Sequence, residues 1–172
     1  MRSIPILAAT AAAALVLTAC GGGGDANPTG TDAGAAAADA TVTSKQVDGV
    51  GRVLVDPTGQ ALYAADQESD GTILCVGACT SIWKPLAAGA AVPSGTDGVG
   101  ALGVVARPDG SKQVTVAGRP LYTFTQEGPG QVTGNGLADA FGSQSFLWHA
   151  ILAGGTSAGG AGASSTPRGY GS

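Results

Sequence analysis

Three cysteines, one histidine and two Tyr/Glu pairs are the groups in this chain whose types and spacing could do chemistry. Cys20 stands in Leu17-Thr18-Ala19-Cys20-Gly21, with Leu three residues before the Cys, small residues between and Gly after. That is the pattern of a bacterial lipobox, in which the Cys sulfur receives diacylglycerol and the leader is cut just before it. Cys75 and Cys79 can pair with each other and leave Cys20 over. In an oxidising compartment a disulfide is the default for such a pair. So small a loop contributes only ~2 kcal/mol in the chain-entropy model. A thioredoxin-type redox site is the sharper alternative, but it has two residues between its cysteines and a βαβ context. Zinc needs about four ligands, and the chain has 1 His; no metal or other cofactor is expected.

The Tyr/Glu pairs are Tyr63 with Glu68 and Tyr122 with Glu127. Each could bring a phenol and a carboxylate together to hold a ligand or a hard cation. The structural alternative, which is the expectation, buries each ring, satisfies its hydroxyl locally and has each Glu accept bonds from the turn that follows. His149 lies beside Trp148 without a nucleophile in a recognised context, and Gly-x-Ser-x-Gly does not occur. It reads as a structural or surface residue. Asp66, Glu68 and Asp70 lack the spacing of a calcium loop and read as a solvated loop. Gly134-Asn135-Gly136 near Gly128-Pro129-Gly130 has neither the Lys nor the following helix of a phosphate cradle, and reads as loop. No catalytic residue emerges, so an enzyme is not expected.

Export follows from the first nineteen residues. Met1-Arg2-Ser3 carries one positive charge, and an uncharged stretch from Ile4 to Leu17 is rich in Ala, Leu, Ile and Val. This is the layout of a secretory signal peptide, shorter than the roughly 20 residues a spanning helix needs. Residues 1–19 are therefore the expected leader and residues 20–46 a lipidated Cys with a flexible tether of Gly, Ala, Thr, Asp, Asn and Pro. A folded domain is expected over 47–153, and a second low-complexity tail over 154–172. Two acyl chains on Cys20 suffice for a stable anchor, since each buried methylene contributes about 0.8 kcal/mol. Loss of Arg2 with the leader leaves 7 basic against 12 acidic residues, a net charge of −5. No basic cluster occurs along the chain, which argues against nucleic acid and against electrostatic adhesion to anionic lipid.

The elements that must position these groups come in two copies. Gly59-Gln60-Ala61-Leu62-Tyr63-Ala64-Ala65-Asp66-Gln67-Glu68 aligns without gaps on Gly118-Arg119-Pro120-Leu121-Tyr122-Thr123-Phe124-Thr125-Gln126-Glu127, matching at five of ten positions. Each copy is followed by a Trp after an apolar residue, Ile82-Trp83 and Leu147-Trp148, with an insertion in the second copy. Asp56-Pro57-Thr58-Gly59 and Pro108-Asp109-Gly110-Ser111 are turns between short apolar runs. Tyr122 and Phe124 share one strand face. Only Gly77 to Trp83 reads as helical, one or two turns stopped before Pro85. The class is mainly β: a duplicated antiparallel meander, small sandwich or barrel, with one short helical turn after the disulfide.

These residues resemble the bacterial lipoproteins called "secreted repeat of unknown function", marked by Tyr-x-(Phe, Trp or Tyr)-x-x-Asp. Both copies here end in Glu (Glu68, Glu127), and the first has Ala65 where the second has Phe124. Cys75-x-Gly77-Ala78-Cys79-x-x-Ile82-Trp83-x-Pro85-Leu86 is similar to the family's Cys-Thr-Gly-Ala-Cys-Ala-x-x-Trp-Pro-Pro-Leu, with Lys84 at a Pro position. The Pro-Gly and Gly-x-Gly loop over Gly128–Gly136 and the closing strand Phe146–Ala150 also match, so the resemblance covers about Gly51 to Leu152. It implies an exported, lipidated, duplicated domain and no established reaction. The expected role is a non-catalytic binding or structural module of the cell envelope, on the cell membrane or outer membrane and outside the cytoplasm. Its partners would be the membrane, through Cys20, and an envelope protein or small ligand. The alternative is an accessory to envelope redox or electron-transfer chemistry through Cys75 and Cys79.

Overall fold

Asp56 closes the Asp-Pro-Thr-Gly turn: its carboxylate accepts the amides of Thr58 and Gln60 at 2.9 and 3.0 Å, and Gly59 adopts a positive φ of 85° that a side chain would resist. This turn joins β2 (Gly51–Val55) to β3 (Tyr63–Ala65), with Val55 bridged to Ala61. The computed structural model describes residues 41–91, 93–96, 98–159 and 168–170. The leader, Cys20 and most of the expected tether lie outside the described residues.

After β3 come a 3-10 turn at Asp66–Glu68, the helix α1 (Cys79–Ile82) and β4 (Trp83–Pro85). A two-residue strand β5 (Ser94–Gly95) follows, then the hairpin β6 (Leu102–Ala106) and β7 (Lys112–Val116) around Pro108-Asp109-Gly110-Ser111. The chain continues through β8 (Arg119–Pro120), β9 (Tyr122–Phe124), β10 (Leu137–Phe141) and β11 (Gln144–Ala150). The fold is mainly β and curls into a half barrel. The 3-10 turn is a second helical segment that the sequence did not announce.

Two expected boundaries are corrected. β1 (Thr41–Val47) falls in the segment read as tether, yet pairs antiparallel with β2 over Thr43↔Val55 to Val47↔Gly51, and Val42 is buried. Beyond 153, Ser157 bridges Ile151, Ala158 is buried, and β12 (Arg168–Tyr170) pairs parallel with β10, its Tyr170 stacked on Phe141 at 5.0 Å. Low apolar content does not prevent either pairing, because β1, between β2 and β5, and β12, on the edge beside β10, are held by their backbone groups.

The strand order β12-β10-β11-β3-β9-β4 exposes the logic of the duplication. β3 and β9, the two Leu-Tyr copies, lie side by side with Tyr63 opposite Tyr122. β4, from the first copy, pairs with β9 of the second; β11, from the second, pairs with β3 of the first. Trp83 is thus opposite Phe124 and Trp148 opposite Ala65, so the two copies exchange their Trp strands about a pseudo-twofold between the tyrosines. The inserted residues of the second copy include β10, the hairpin partner of β11.

Both faces of β3 and β9 are covered, which is why every residue of both strands is buried. Leu62, Ala64 and Leu121 face an aliphatic core with Val42, Leu54, Val114, Val116 and Ile151. Tyr63, Ala65, Tyr122 and Phe124 face an aromatic core with Trp83, Phe146 and Trp148. Dipeptides Leu-Tyr therefore supply one residue to each core.

Candidate functional site: the buried tyrosine and carboxylate pairs

Trp83 and Trp148 stack at 4.0 Å with planes 12° apart, and each receives the edge of its own repeat's tyrosine, Tyr63 at 5.3 Å and Tyr122 at 5.1 Å. Phe124 stacks on the outer side of Trp83 at 4.5 Å. Ala65, its counterpart, leaves Trp148 without an equivalent ring, and Phe146 stacks on Trp148 at 5.4 Å. Gly134 permits the arrangement: a Cβ there would meet Trp83 at 2.8 Å and Tyr63 at 3.1 Å. The Gly-x-Gly loop is thus a close approach of backbone to ring, and Asn135 between its glycines accepts the amide of Ala150 at 3.0 Å.

The tyrosine hydroxyls do not find partners locally. Tyr63 donates to Glu127 of the other repeat, 2.8 Å from Oε1 and 2.9 Å from Oε2, and accepts the Gly134 amide at 3.3 Å. Tyr122 faces Glu68, again of the other repeat, with Arg107 Nη1 donating to its hydroxyl at 3.5 Å. The pairs that the spacing suggests, Tyr63 with Glu68 and Tyr122 with Glu127, are exchanged because the Trp strands are. Each Glu also clamps the loop that follows it. Glu68 Oε1 accepts the amides of Leu74 and Cys75 at 2.6 and 2.7 Å, while Glu127 Oε2 accepts the amide and hydroxyl of Thr133 at 2.7 and 3.0 Å. Glu68 is fully buried, so the acidic run is not a wholly solvated loop; Asp66 and Asp70 are exposed.

Burial, then the charge and hydrogen bonding of Glu127, push the Tyr63 hydroxyl far above its ordinary pKa; burial and Glu68 do the same to Tyr122, against a smaller opposing pull from Arg107. Burial also raises Glu127, with the bonds from Tyr63 and Thr133 working against it. The two pairs are not equivalent: Glu127 is fully engaged, whereas Glu68 Oε2 completes no well-formed hydrogen bond among the described residues.

Cys75 and Cys79 form a disulfide with both residues buried. Arg107, itself buried, donates from Nη2 to the Cys75 carbonyl at 2.7 Å and from Nη1 to Gln113, tying this loop to β7. His149 Nε2 is 3.2 Å from Asp66 Oδ2. Two further participants escaped the sequence reading. Asp139 is fully buried and accepts the Trp83 indole N–H at 2.7 Å, with burial raising its pKa. A carboxylate at the inward register of β10, between Leu137 and Phe141, was its available signal. Arg107 had none, since an Arg beside a turn is ordinarily solvated. Among the described residues no group of His, Cys, Asp and Glu could hold a metal ion.

Residues 103–151 match the family model described as "secreted repeat of unknown function". The match spans β6 to β11, and the motif resemblance in the first copy lies outside it. No curated protein and no solved structure matches the chain. A secreted repeat fits an exported protein, and no described helix is long and apolar enough to cross a membrane.

Proposed function

We propose that this secreted repeat is a non-catalytic binding or structural module of the cell envelope, held to a membrane by lipid on Cys20 with its folded domain outside the cytoplasm. The observation that carries the reading is the inward commitment of the groups that could do chemistry. Tyr63 is spent on Glu127, Glu68 on the amides of Leu74 and Cys75, and both disulfide sulfurs belong to buried residues. A general acid or base must reach a substrate proton, and these carboxylates instead hold backbone.

The redox alternative is disfavoured on the same ground. Thiol exchange needs an accessible sulfur and a stabilised thiolate. Cys75 and Cys79 are 0% and 1% exposed, and the carboxylate bound to the Cys75 amide would oppose a thiolate.

Mass spectrometry of the amino terminus of the protein from its native host, with membrane fractionation, tests the placement. The expected species begins at Cys20 and carries diacylglycerol. An unmodified thiol, or a leader still attached in the mature protein, overturns the anchor. Cys20→Ser should block acylation and leave the precursor uncleaved.

A further inference from the structure

The fold gathers cations that the sequence keeps apart. Lys84 on β4, Arg107 after β6 and Lys112 on β7 line one cleft of about 400 Å³. They are three of the chain's 8 basic residues, in a protein of net negative charge. Arg107 forms a buried part of the wall, 5% exposed and fixed by Gln113 and the Cys75 carbonyl. One acid, Asp109, shares the cleft; it pairs with Arg107 Nε at 3.7 Å and accepts the amide and hydroxyl of Ser111 at 2.9 and 2.6 Å. Asp109 therefore offsets Arg107. Lys84 and Lys112 are exposed, and among the described residues neither side-chain ammonium has an ion-pair or hydrogen-bonding partner.

We propose that this cleft binds a phosphate monoester, which deepens and rests on the binding-module reading above. Two uncompensated ammonium groups match the dianion that a phosphate monoester approaches near neutral pH, its second pKa being about 6. A single carboxylate would leave one ammonium unmatched. Ser81, also in the cleft wall, makes no hydrogen bond through its hydroxyl among the described residues and supplies a neutral donor. The hydroxyls of Thr80 and Ser111 already donate to Gly77 and Asp109, so they do not serve as donors. Pro85 and Ala87 form an apolar stretch of the same wall, suited to the carbon end of an ester. Clustered like charge in a concave site raises the local concentration of a counter-charged ligand.

The test uses the mature chain from residue 20 with Cys20→Ser, isotopically labelled, titrated with glycerol 1-phosphate, inorganic phosphate and glycerol at low salt. Saturable amide shifts are expected with both phosphates, centred on Ser81, Lys84, Ser111 and Lys112, and none with glycerol. Lys84→Ala with Lys112→Ala should weaken binding about tenfold, since each exposed ion pair contributes a few-fold. The exposed pair Lys45→Ala with Arg52→Ala should leave affinity unchanged. Sedimentation with phosphatidic acid vesicles, whose headgroup is a phosphate monoester, separates the sources: co-sedimentation lost in the Lys84/Lys112 variant assigns a lipid headgroup, and its absence alongside phosphate binding assigns a soluble phosphate monoester. Absent or unsaturable shifts, or shifts unaltered by the Lys84/Lys112 variant, overturn the site. Those results would leave the lipid anchor untouched, because the amino-terminal mass reports it independently.

Discussion

The Tyr63 hydroxyl of the first repeat lies 2.8 and 2.9 Å from the two carboxylate oxygens of Glu127 in the second. With Tyr122 facing Glu68 in the reciprocal sense, the two copies of the motif complete one another. Neither half can satisfy its own buried phenol once its Trp strand has moved to the other sheet position. This makes the duplication a requirement of the fold.

Removing one phenol tests that dependence. Tyr63→Phe leaves Glu127 with its bonds from Thr133, and a hydrogen bond to a charged group contributes about 1.5–3 kcal/mol. The expected loss is about 2 kcal/mol in urea unfolding, or roughly 8–16 °C in Tm for a domain of about 100 residues. Tyr122→Phe should cost less, because the Tyr63 hydroxyl lies within hydrogen-bonding distance of both Glu127 oxygens, whereas Glu68 Oε2 completes no well-formed hydrogen bond even beside Tyr122. In a double-mutant cycle Tyr63→Phe and Glu127→Gln should couple, whereas Tyr63→Phe and Asp109→Asn should add.

Gly134→Ala should be more damaging than its single methyl suggests. The new Cβ would stand 2.8 Å from the Trp83 ring, which is held between Trp148 and Phe124 and cannot retreat. Overpacking of this kind costs about 1–3 kcal/mol. Near-ultraviolet circular dichroism should show the tryptophan stack disturbed. Gly110→Ala, where a Cβ meets nothing within 4 Å, should cost only the strain of its positive φ of 83°.

Alkali should unfold the domain through its tyrosines. Tyr63 and Tyr122 have folded pKa values raised far above the ordinary 10.0, so the folded state keeps protons that the unfolded state releases. Their contribution is fully present below pH 10.0 and is lost as pH rises beyond it, at about 1.4 kcal/mol per pH unit for each tyrosine. Glu127 and Asp139 carry the same sign in acid: stability declines as pH rises from their ordinary 4.5 and 3.8 through the raised folded values. Urea midpoints between pH 9 and 12 should fall steeply in the wild type and less steeply in Tyr63→Phe.

Much of the architecture was legible. Asp-Pro-Thr-Gly and Pro-Asp-Gly-Ser mark their turns by residue chemistry, and the Leu-Tyr copies mark the central strands. The exchange of Trp strands was not legible, because spacing within each copy is the same whichever sheet position the Trp strand takes. β1 and β12 were missed because strand pairing draws on backbone groups that composition does not record. The basic cleft was missed because Lys84, Arg107 and Lys112 are distant in sequence and meet only when β4 and the β6–β7 hairpin come together.

If the reactive-looking groups serve the fold, the reduction potential of the Cys75–Cys79 disulfide must show it. Structural disulfides resist glutathione and lie below about −300 mV. Equilibrium with defined thiol buffers, read by mass after alkylation, should place this one there, and Cys75→Ser with Cys79→Ser should cost about 2 kcal/mol of stability. A potential near −120 to −200 mV, in the range of exchange-active proteins, would contradict the account and assign the disulfide to redox chemistry.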